Sequence, residues 1–87
     1  MAAYKVLIKV SAGKELERLG TKSDRARIVE RTQTLAEDPR PHGYEKLAGY
    51  EDRFRIRQVN YRVVYLVDDR RLEVTIVKIG DRKDVYR

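Results

Sequence analysis

The stretch FRIRQVNYRVVY, residues 54–65, decides the fold, because apolar and cationic side chains alternate along its first half at the period of a β-strand. Its apolar residues then share one face of the strand, while Arg55 and Arg57 share the other. If 59–60 is a two-residue turn, the chain returns as a second strand in which Arg62 lies opposite Arg57. Like charges placed opposite each other destabilise a sheet, so the pattern indicates a cationic face that serves a binding partner rather than folding.

The composition limits the class of protein. The chain has 87 residues, which is the size of one domain, and we expect residues 1–87 to form it. It contains no Cys, which excludes disulfides, a thiol nucleophile and zinc sites built on thiolates. We find neither an apolar run as long as a membrane span nor a secretory signal, so we expect a cytoplasmic protein that does not bind a membrane.

The charge balance points to a polyanionic partner. With 20 Lys and Arg against 14 Asp and Glu, the formal net charge is +6 and the pI of the sequence is about 9.8. Many soluble surfaces carry such a charge without binding nucleic acid. Here, however, the arginines concentrate on predicted strands, so nucleic acid is the first candidate.

Alternation, capping residues and turn residues predict an α+β fold. An N-terminal strand and a two-helix hairpin precede an antiparallel meander of three to four strands, and the helices pack on one face of the sheet. The predicted strands are 4–10, 53–58, 61–67 and 72–79, and the predicted helices are 11–19 and 24–37. Ser11 and either Thr21 or Ser23 are the expected helix caps, and Gly20 is expected to end the first helix.

The turn between the last two strands sets their register. Counting outward from residues 69–70 pairs Tyr65 with Val74. The face of these strands opposite the core is then apolar at its centre and cationic at one end. Such a mixture is typical of a groove that binds bases and phosphates.

Most hydrolytic mechanisms lack candidate residues in this chain. His42 is the single histidine, so a mechanism with two histidines is impossible, and its Pro- and Gly-bounded loop indicates a solvated side chain. Acidic pairs at 51–52 and 68–69 fall at predicted turns, where Asp forms local backbone contacts. Neither a P-loop nor a dinucleotide fingerprint occurs. We therefore expect neither a metal nor a cofactor.

Arginine and tyrosine remain, and they can cleave RNA because the 2′-hydroxyl supplies the nucleophile. Arginines would neutralise the negative charge that grows on the phosphorane, and a tyrosine whose pKa is lowered by those cations could accept the 2′-hydroxyl proton. A single surface arginine is more often inert, Tyr61 and Tyr65 are more often packing residues, and Tyr86 lies in a terminus that usually frays. Several arginines on one face beside a tyrosine form a stronger signal than any one of them.

Short motifs along nearly the whole chain resemble those of RelE toxins in the RelE/ParE toxin–antitoxin superfamily. The motifs are Lys46-Leu47 with Gly49, then FRIR at 54–57, NYRVVY at 60–65, IGDR at 79–82 and VYR at 85–87. The resemblance implies a ribosome-dependent endoribonuclease that cleaves messenger RNA in the ribosomal A site and halts translation. It also implies a cognate RelB-like antitoxin, acidic and encoded adjacently, and a toxin that is itself monomeric and oligomeric only through the antitoxin.

The resemblance implies roles for five catalytic residues. Arg55 and Arg57 match the paired basic positions that bind the phosphate, and Arg62 matches the arginine at the start of the Tyr-Arg strand. Arg82 matches the arginine that assists the leaving group, and Tyr86 matches the tyrosine that acts as the base. Arg62 and Arg82 are expected to be exposed, so that replacing them should spare the fold. The further positions expected to contact RNA are Lys46, Arg53 and Lys83.

Three features depart from the family pattern. The best-known member has lysines at the positions of Arg55 and Arg57, and arginine cannot act as a neutral base, so the expected role of both is electrostatic. Asp81 stands where some relatives carry a histidine, so a histidine-assisted step is not expected. The sequence stops at Arg87 where some members continue into a C-terminal helix, so control through such a helix is not expected either.

Two other functions stay open. The ParE branch shares this fold, inhibits DNA gyrase and generally lacks the catalytic set, whereas this chain keeps Arg62, Arg82 and Tyr86. A catalytically degenerate binding module of the same fold is the second alternative. RNA cleavage, gyrase inhibition and growth arrest distinguish the three functions.

Overall fold

The computed structural model describes residues 3–58 and 60–81, and it shows two helices on one face of a five-stranded sheet. The helices are α1 (Val10–Glu17) and α2 (Lys22–Thr34). The strands are β1 (Lys5–Ile8), β2 (Glu45–Lys46), β3 (Arg53–Gln58), β4 (Tyr61–Asp68) and β5 (Glu73–Asp81). The predicted α+β class is confirmed, and β2 is an addition to the predicted strands.

The first strand of the chain lies beside the last described strand. The order across the sheet is β1-β5-β4-β3-β2, and β1 pairs with β5 in parallel. All other neighbours are antiparallel, so the predicted meander is confirmed, with β2 added at its outer edge. A parallel pair needs a long crossover connection, and α1 and α2 lie in the segment that supplies it.

The hairpin of β3 and β4 has the predicted register. Arg57 lies opposite Arg62, and Ile56 lies opposite Val63. Directly opposite residues share a face of the sheet, and both Ile56 and Val63 are buried against the helices. The alternation in 54–57 therefore divides β3 into an apolar core face and a cationic face.

The register of β4 with β5 differs from the prediction. Tyr65 lies opposite Ile76 rather than Val74. The connecting turn is longer than the predicted two-residue turn and extends through Leu72, which has a positive φ of 54°. Pairing of the two strands resumes at the next residue.

A displacement of two residues keeps the predicted side chains on the core face as far as Ile76. Between Val64 and Tyr65 the register shifts by one further residue, so Val63 lies opposite Ile79, which belongs to the core. The predicted face is therefore right up to Ile76, although the register is wrong.

The two helices begin differently. At the start of α2, Thr21 and Asp24 form a capping box, in which the Thr21 Oγ1 accepts from the Asp24 backbone N–H at 3.1 Å. Helix α1 instead begins at Val10, one residue before the predicted cap Ser11, and the residue before it provides no side-chain cap. The prediction of Thr21 is confirmed and that of Ser11 is wrong.

The core lies between the helices and the sheet. Its buried side chains are Ala12, Ile28, Leu35, Phe54, Ile56, Val63, Tyr65, Val67, Val74, Ile76 and Ile79. The one phenol among them, that of Tyr65, donates to the Pro39 carbonyl at 2.7 Å, and burial raises the pKa of Tyr65 to about 12. Among the described residues, neither helix is long and apolar enough to cross a membrane.

The turn before α2 depends on a glycine. Gly20 has a φ of +38°, and a Cβ at this position would fall on the Tyr61 hydroxyl and the Asp24 carboxylate. Those two groups are themselves hydrogen-bonded at 3.2 Å, so the glycine sits under a contact that joins α2 to β4. In α1, by contrast, a Cβ on Gly13 would meet nothing nearer than 3.9 Å.

We expect Gly20→Ala to lower the free energy of unfolding by about 1–3 kcal/mol, because it adds both backbone strain and overlap with the contact above it. Gly13→Ala is the matched control and should be neutral or stabilising by up to about 1 kcal/mol, since it adds helix propensity. Urea denaturation of both variants measures the difference. Equal stability of the two variants would contradict the assigned role of Gly20.

A polar cluster ties three remote segments together. The Tyr4 hydroxyl donates to Asp69 Oδ1 at 2.6 Å, and Arg40 donates to Asp69 Oδ2 at 2.9 Å. The cluster thereby joins the residue before β1, the loop after α2 and the turn between β4 and β5. The Arg40 guanidinium, with help from the Tyr4 hydroxyl, holds the pKa of Asp69 below its usual range.

This lowered pKa makes a pH-dependent contribution to stability. A carboxyl whose pKa is lower in the folded state stabilises the fold above its unfolded pKa, near 4, and loses this contribution as the pH falls through the folded value. We expect Asp69→Asn to be less stable than wild type at neutral pH, with the difference shrinking in acid. Urea midpoints at several pH values measure it, with Asp52→Asn as the control. A difference that persists at low pH would refute the linkage.

Candidate nucleic-acid interface

Four arginines lie on the side of the sheet opposite the helices, and we call them the arginine face. They are Arg53, Arg55, Arg57 and Arg62. The first three occupy alternate positions on β3, and the fourth faces them from β4. The structure therefore brings together four of the residues that the sequence singled out, all on one hairpin.

The members of the arginine face differ strongly in exposure. Arg57 is exposed, whereas Arg62 is only 1% exposed and lies on a strand flanked on both sides. Its neighbours across the sheet are Arg57 on β3 and Gly80 on β5, and glycine brings no side chain to this face. The expectation that Arg62 is exposed is wrong. A guanidinium this deep is costly to bury, and it exerts a stronger field than one in water.

Arg55 is held by a carboxylate from the edge strand. Its Nε and Nη2 donate to the two carboxylate oxygens of Glu45 at 3.2 and 3.3 Å. The side chain of Arg55 is 15% exposed and that of Glu45 is 55% exposed. Mainly because of Arg55, the pKa of Glu45 is lowered, so the carboxylate is ionised at neutral pH.

A groove runs along the arginine face beside β4 and β5. Its volume is about 520 Å³, and apolar side chains that include Val64, Leu66 and Val77 line it. At its margin the Arg53 guanidinium stacks on the Tyr50 ring, 4.4 Å from the ring centre. The predicted apolar centre and cationic edge are thus present on one surface.

The remaining candidate residues are placed differently. Lys46 pairs with Phe54, so by register it belongs to the face of the core residues and not to the arginine face. Arg82, Lys83 and Tyr86 lie outside the described residues. Their expected roles stay predictions.

Two tyrosines of β4, which lie on the core side of the sheet rather than on the arginine face, are structural. The Tyr61 hydroxyl donates to Asp24, and desolvation, reinforced by this carboxylate, raises the pKa of Tyr61. The Tyr65 phenol is buried and bonded to a backbone carbonyl. Neither has the lowered pKa that a general base needs, which agrees with their interpretation as packing residues.

Within 3–58 and 60–81, no group of three or more His, Cys, Asp and Glu side chains is arranged to hold a metal ion. His42 lies in an exposed loop.

Sequence reasoning missed Glu45 and Tyr50, both of which engage members of the arginine face. Strand β2 has only two residues, and so short a strand carries no periodicity from which pairing with β3 could be read. The only available signal was charge, because the acidic Glu45 lies ten positions before Arg55.

Comparison with protein families identifies the chain. A family model described as the ParE toxin of type II toxin–antitoxin systems (parDE) matches residues 6–86, nearly the whole chain. The chain belongs to this toxin family. Comparison with curated proteins gave no match.

Solved RelE structures share the fold of this toxin. The isolated Escherichia coli RelE toxin is 31% identical, with a TM-score of 0.78 over 97% of this chain and 92% of that chain. In the archaeal RelE–RelB complex from Pyrococcus horikoshii, the matching chain is 30% identical, with a TM-score of 0.82 over 97% of this chain and 99% of that chain. In the RelBE2 toxin–antitoxin complex of Mycobacterium tuberculosis, the matching chain is 27% identical, with a TM-score of 0.82 over 97% of this chain and 97% of that chain. The expected RelE-like fold and RelE/ParE membership are confirmed.

Because Arg62 is buried, both the volume and the charge of its side chain affect stability, and two substitutions distinguish these contributions. Arg62→Met keeps most of the aliphatic volume, so we expect it to lower the free energy of unfolding less than Arg62→Ala does. Arg62→Ala leaves a cavity and should lower it by about 1–3 kcal/mol. Denaturant unfolding compares the two, with Arg70→Ala in the exposed turn as the control for loss of a surface charge. Equal effects of Met and Ala would show that packing is not what Arg62 contributes.

Proposed function

We propose that this toxin is a ribosome-dependent endoribonuclease that cleaves messenger RNA in the ribosomal A site and thereby inhibits translation. The observation that carries the proposal is the arginine face. Alternate residues of one strand lie about 7 Å apart, which is close to the spacing of successive phosphates on an RNA strand. Four guanidinium groups on one surface, beside an apolar groove, fit a single-stranded polyanion with exposed bases.

The proposed reaction uses the nucleophile of the substrate. The 2′-oxygen bonds to phosphorus while the bond from phosphorus to the 5′-oxygen breaks, which leaves a 2′,3′-cyclic phosphate and a 5′-hydroxyl end. Tyr86 would accept the proton of the 2′-hydroxyl, and Arg82 would stabilise the departing oxygen. A guanidinium has a pKa above about 12 and is a poor acid, so the help from Arg82 is electrostatic and the 5′-oxygen takes its proton from solvent or a relay.

The buried arginine supports a catalytic role rather than simple attraction of RNA. Because Arg62 is shielded from water, its charge acts through a medium of lower dielectric, where a fixed cation stabilises developing negative charge most effectively. Arg57, opposite it and exposed, is placed to meet the same phosphate from the solvent side. Folding alone gives no reason to place two cations opposite each other.

We further propose that a RelB-like antitoxin holds the toxin inactive in the cytoplasm. RelE of Pyrococcus horikoshii has been solved in complex with RelB, and E. coli RelE with its antitoxin. The net charge of +6 on this toxin suits an acidic partner segment, encoded adjacently. The toxin alone would be a monomer, with higher assembly formed through the antitoxin.

Inhibition of DNA gyrase is the second candidate function, because the matching family model is that of ParE toxins. The ParE branch generally lacks the catalytic residues of RelE. This chain carries arginine at 62 and 82 and tyrosine at 86, so its sequence favours RNA cleavage.

Purified toxin added to ribosomes programmed with a defined message is expected to cut within the A-site codon. Arg62→Met should reduce the single-turnover rate about 100-fold or more, since it removes a desolvated cation while keeping the packing. Arg57→Ala should reduce it as well, and Tyr86→Phe tests the proposed base by removing only a hydroxyl. His42→Ala is the control and should cut at the wild-type rate.

The outcomes separate the candidate functions. Intact message at stoichiometric toxin, together with inhibited supercoiling by DNA gyrase, would establish the ParE-type activity instead. Cleavage by Arg62→Met at the wild-type rate would show that the site has been assigned to the wrong residues. Absence of both activities and of growth arrest on overexpression would identify a binding module.

A further inference from the structure

A carboxylate of the toxin itself occupies part of the arginine face. Glu45 on β2 lies directly opposite Arg55 on β3, and both of its oxygens accept hydrogen bonds from the guanidinium. The fork of a guanidinium binds a carboxylate and a phosphate through the same pair of parallel hydrogen bonds. The carboxylate of Glu45 therefore stands where two phosphate oxygens would bind Arg55.

We propose that Glu45 is a specificity-determining residue that competes with the substrate phosphate for Arg55. The inference rests on the proposed function, because it takes RNA as the substrate. A phosphate reaches the Nε–Nη2 edge of Arg55 only after the carboxylate has moved away. The toxin consequently binds free RNA more weakly than the arginine face alone would, and it favours a backbone that is held in place against several arginines at once.

The ion pair between Glu45 and Arg55 is strong enough to lower the affinity for a phosphate and weak enough for a phosphate to displace the carboxylate. The Glu45 side chain is 55% exposed, and an ion pair at such a surface position contributes little because water screens it. Its loss should change the affinity for a phosphate by about two- to fivefold, which is the range that exposed pairs contribute. A complete block of Arg55 would require a buried pair.

The local backbone allows the displacement. Strand β2 has only two residues, lies at the edge of the sheet and pairs with β3 alone. Short edge elements with few buried contacts open at a lower free energy than the strands at the centre of a sheet. The Glu45 carboxylate can therefore leave Arg55 by rotation of its side chain or by detachment of β2, without disturbing the core.

The surrounding charges show that Glu45 belongs to the arginine face as a whole. Arg55 is the main cause of its lowered pKa, and Arg62 and Arg57 add smaller contributions in the same direction. The carboxylate thus lies in the field of three of the four arginines and partly neutralises it.

The two roles predict opposite effects of removing the charge. If Glu45 only fastens β2 to β3, its loss disorders Arg55 and weakens RNA binding. If Glu45 competes with phosphate, its loss strengthens RNA binding, and the gain depends on Arg55. Glu45→Gln keeps the size of the side chain and removes the negative charge, so it separates these two roles.

The test measures binding of a fully 2′-O-methylated single-stranded RNA oligonucleotide by fluorescence anisotropy at low salt, without ribosomes. We expect Glu45→Gln to bind about two- to fivefold more tightly than wild type. Glu37→Gln, in the turn that follows α2, makes the same change in net charge and measures the non-specific effect. In the Arg55→Ala background, Glu45→Gln should give no more gain than Glu37→Gln does.

Three results would overturn the inference. They are weaker binding by Glu45→Gln, a gain equal to that of Glu37→Gln, and a gain that survives Arg55→Ala. Cleavage on programmed ribosomes is read separately with the same proteins. A specific gain in binding without any cleavage by wild type would support the competition between Glu45 and RNA phosphate at Arg55 and refute the ribonuclease, whereas cleavage without the gain would do the reverse.

Discussion

The pleat of strand β3 is the constraint on which the rest of the structure depends. Because successive side chains point to opposite faces, each apolar residue that this strand contributes to the core is followed by an arginine on the other side. The core and the arginine face are therefore two consequences of one backbone geometry. A shift of β3 by one residue would bury arginines against the helices, so the demands of the core also fix the position of the charges.

The features that could be predicted from sequence are those with a local signal. Alternation over 54–65 predicted the hairpin and the pairing of Arg57 with Arg62, and a polar residue before a helical pattern predicted the cap at Thr21. The register of β5 could not be predicted, because it depends on the positive φ of Leu72, a residue type that seldom adopts it, and on a shift in pairing between Val64 and Tyr65. The burial of Arg62 could not be predicted either. Alternation shows only which face of the sheet a side chain belongs to, whereas its burial depends on the strands that flank β4 on both sides.

The similarity to both RelE and ParE toxins shows that a shared fold does not determine the activity. The sheet and its two helices match RelE structures over nearly the whole chain, while the family model that matches is that of ParE. A shared backbone therefore does not decide between two molecular targets. In this chain, the four arginines of the candidate interface lie on the face of the sheet opposite the core.

The parallel pair of β1 and β5 has a consequence for synthesis of the protein. The first strand finds its partner only in the last described strand, 68 residues later in the register, so this pair cannot form until β5 has left the exit tunnel. Until then, helix α1 lacks the strand against which it packs. A nascent chain interrupted before β5 would lack the strand that lies between β1 and β4, so the five-stranded sheet is completed only when nearly all of the described chain has been synthesised.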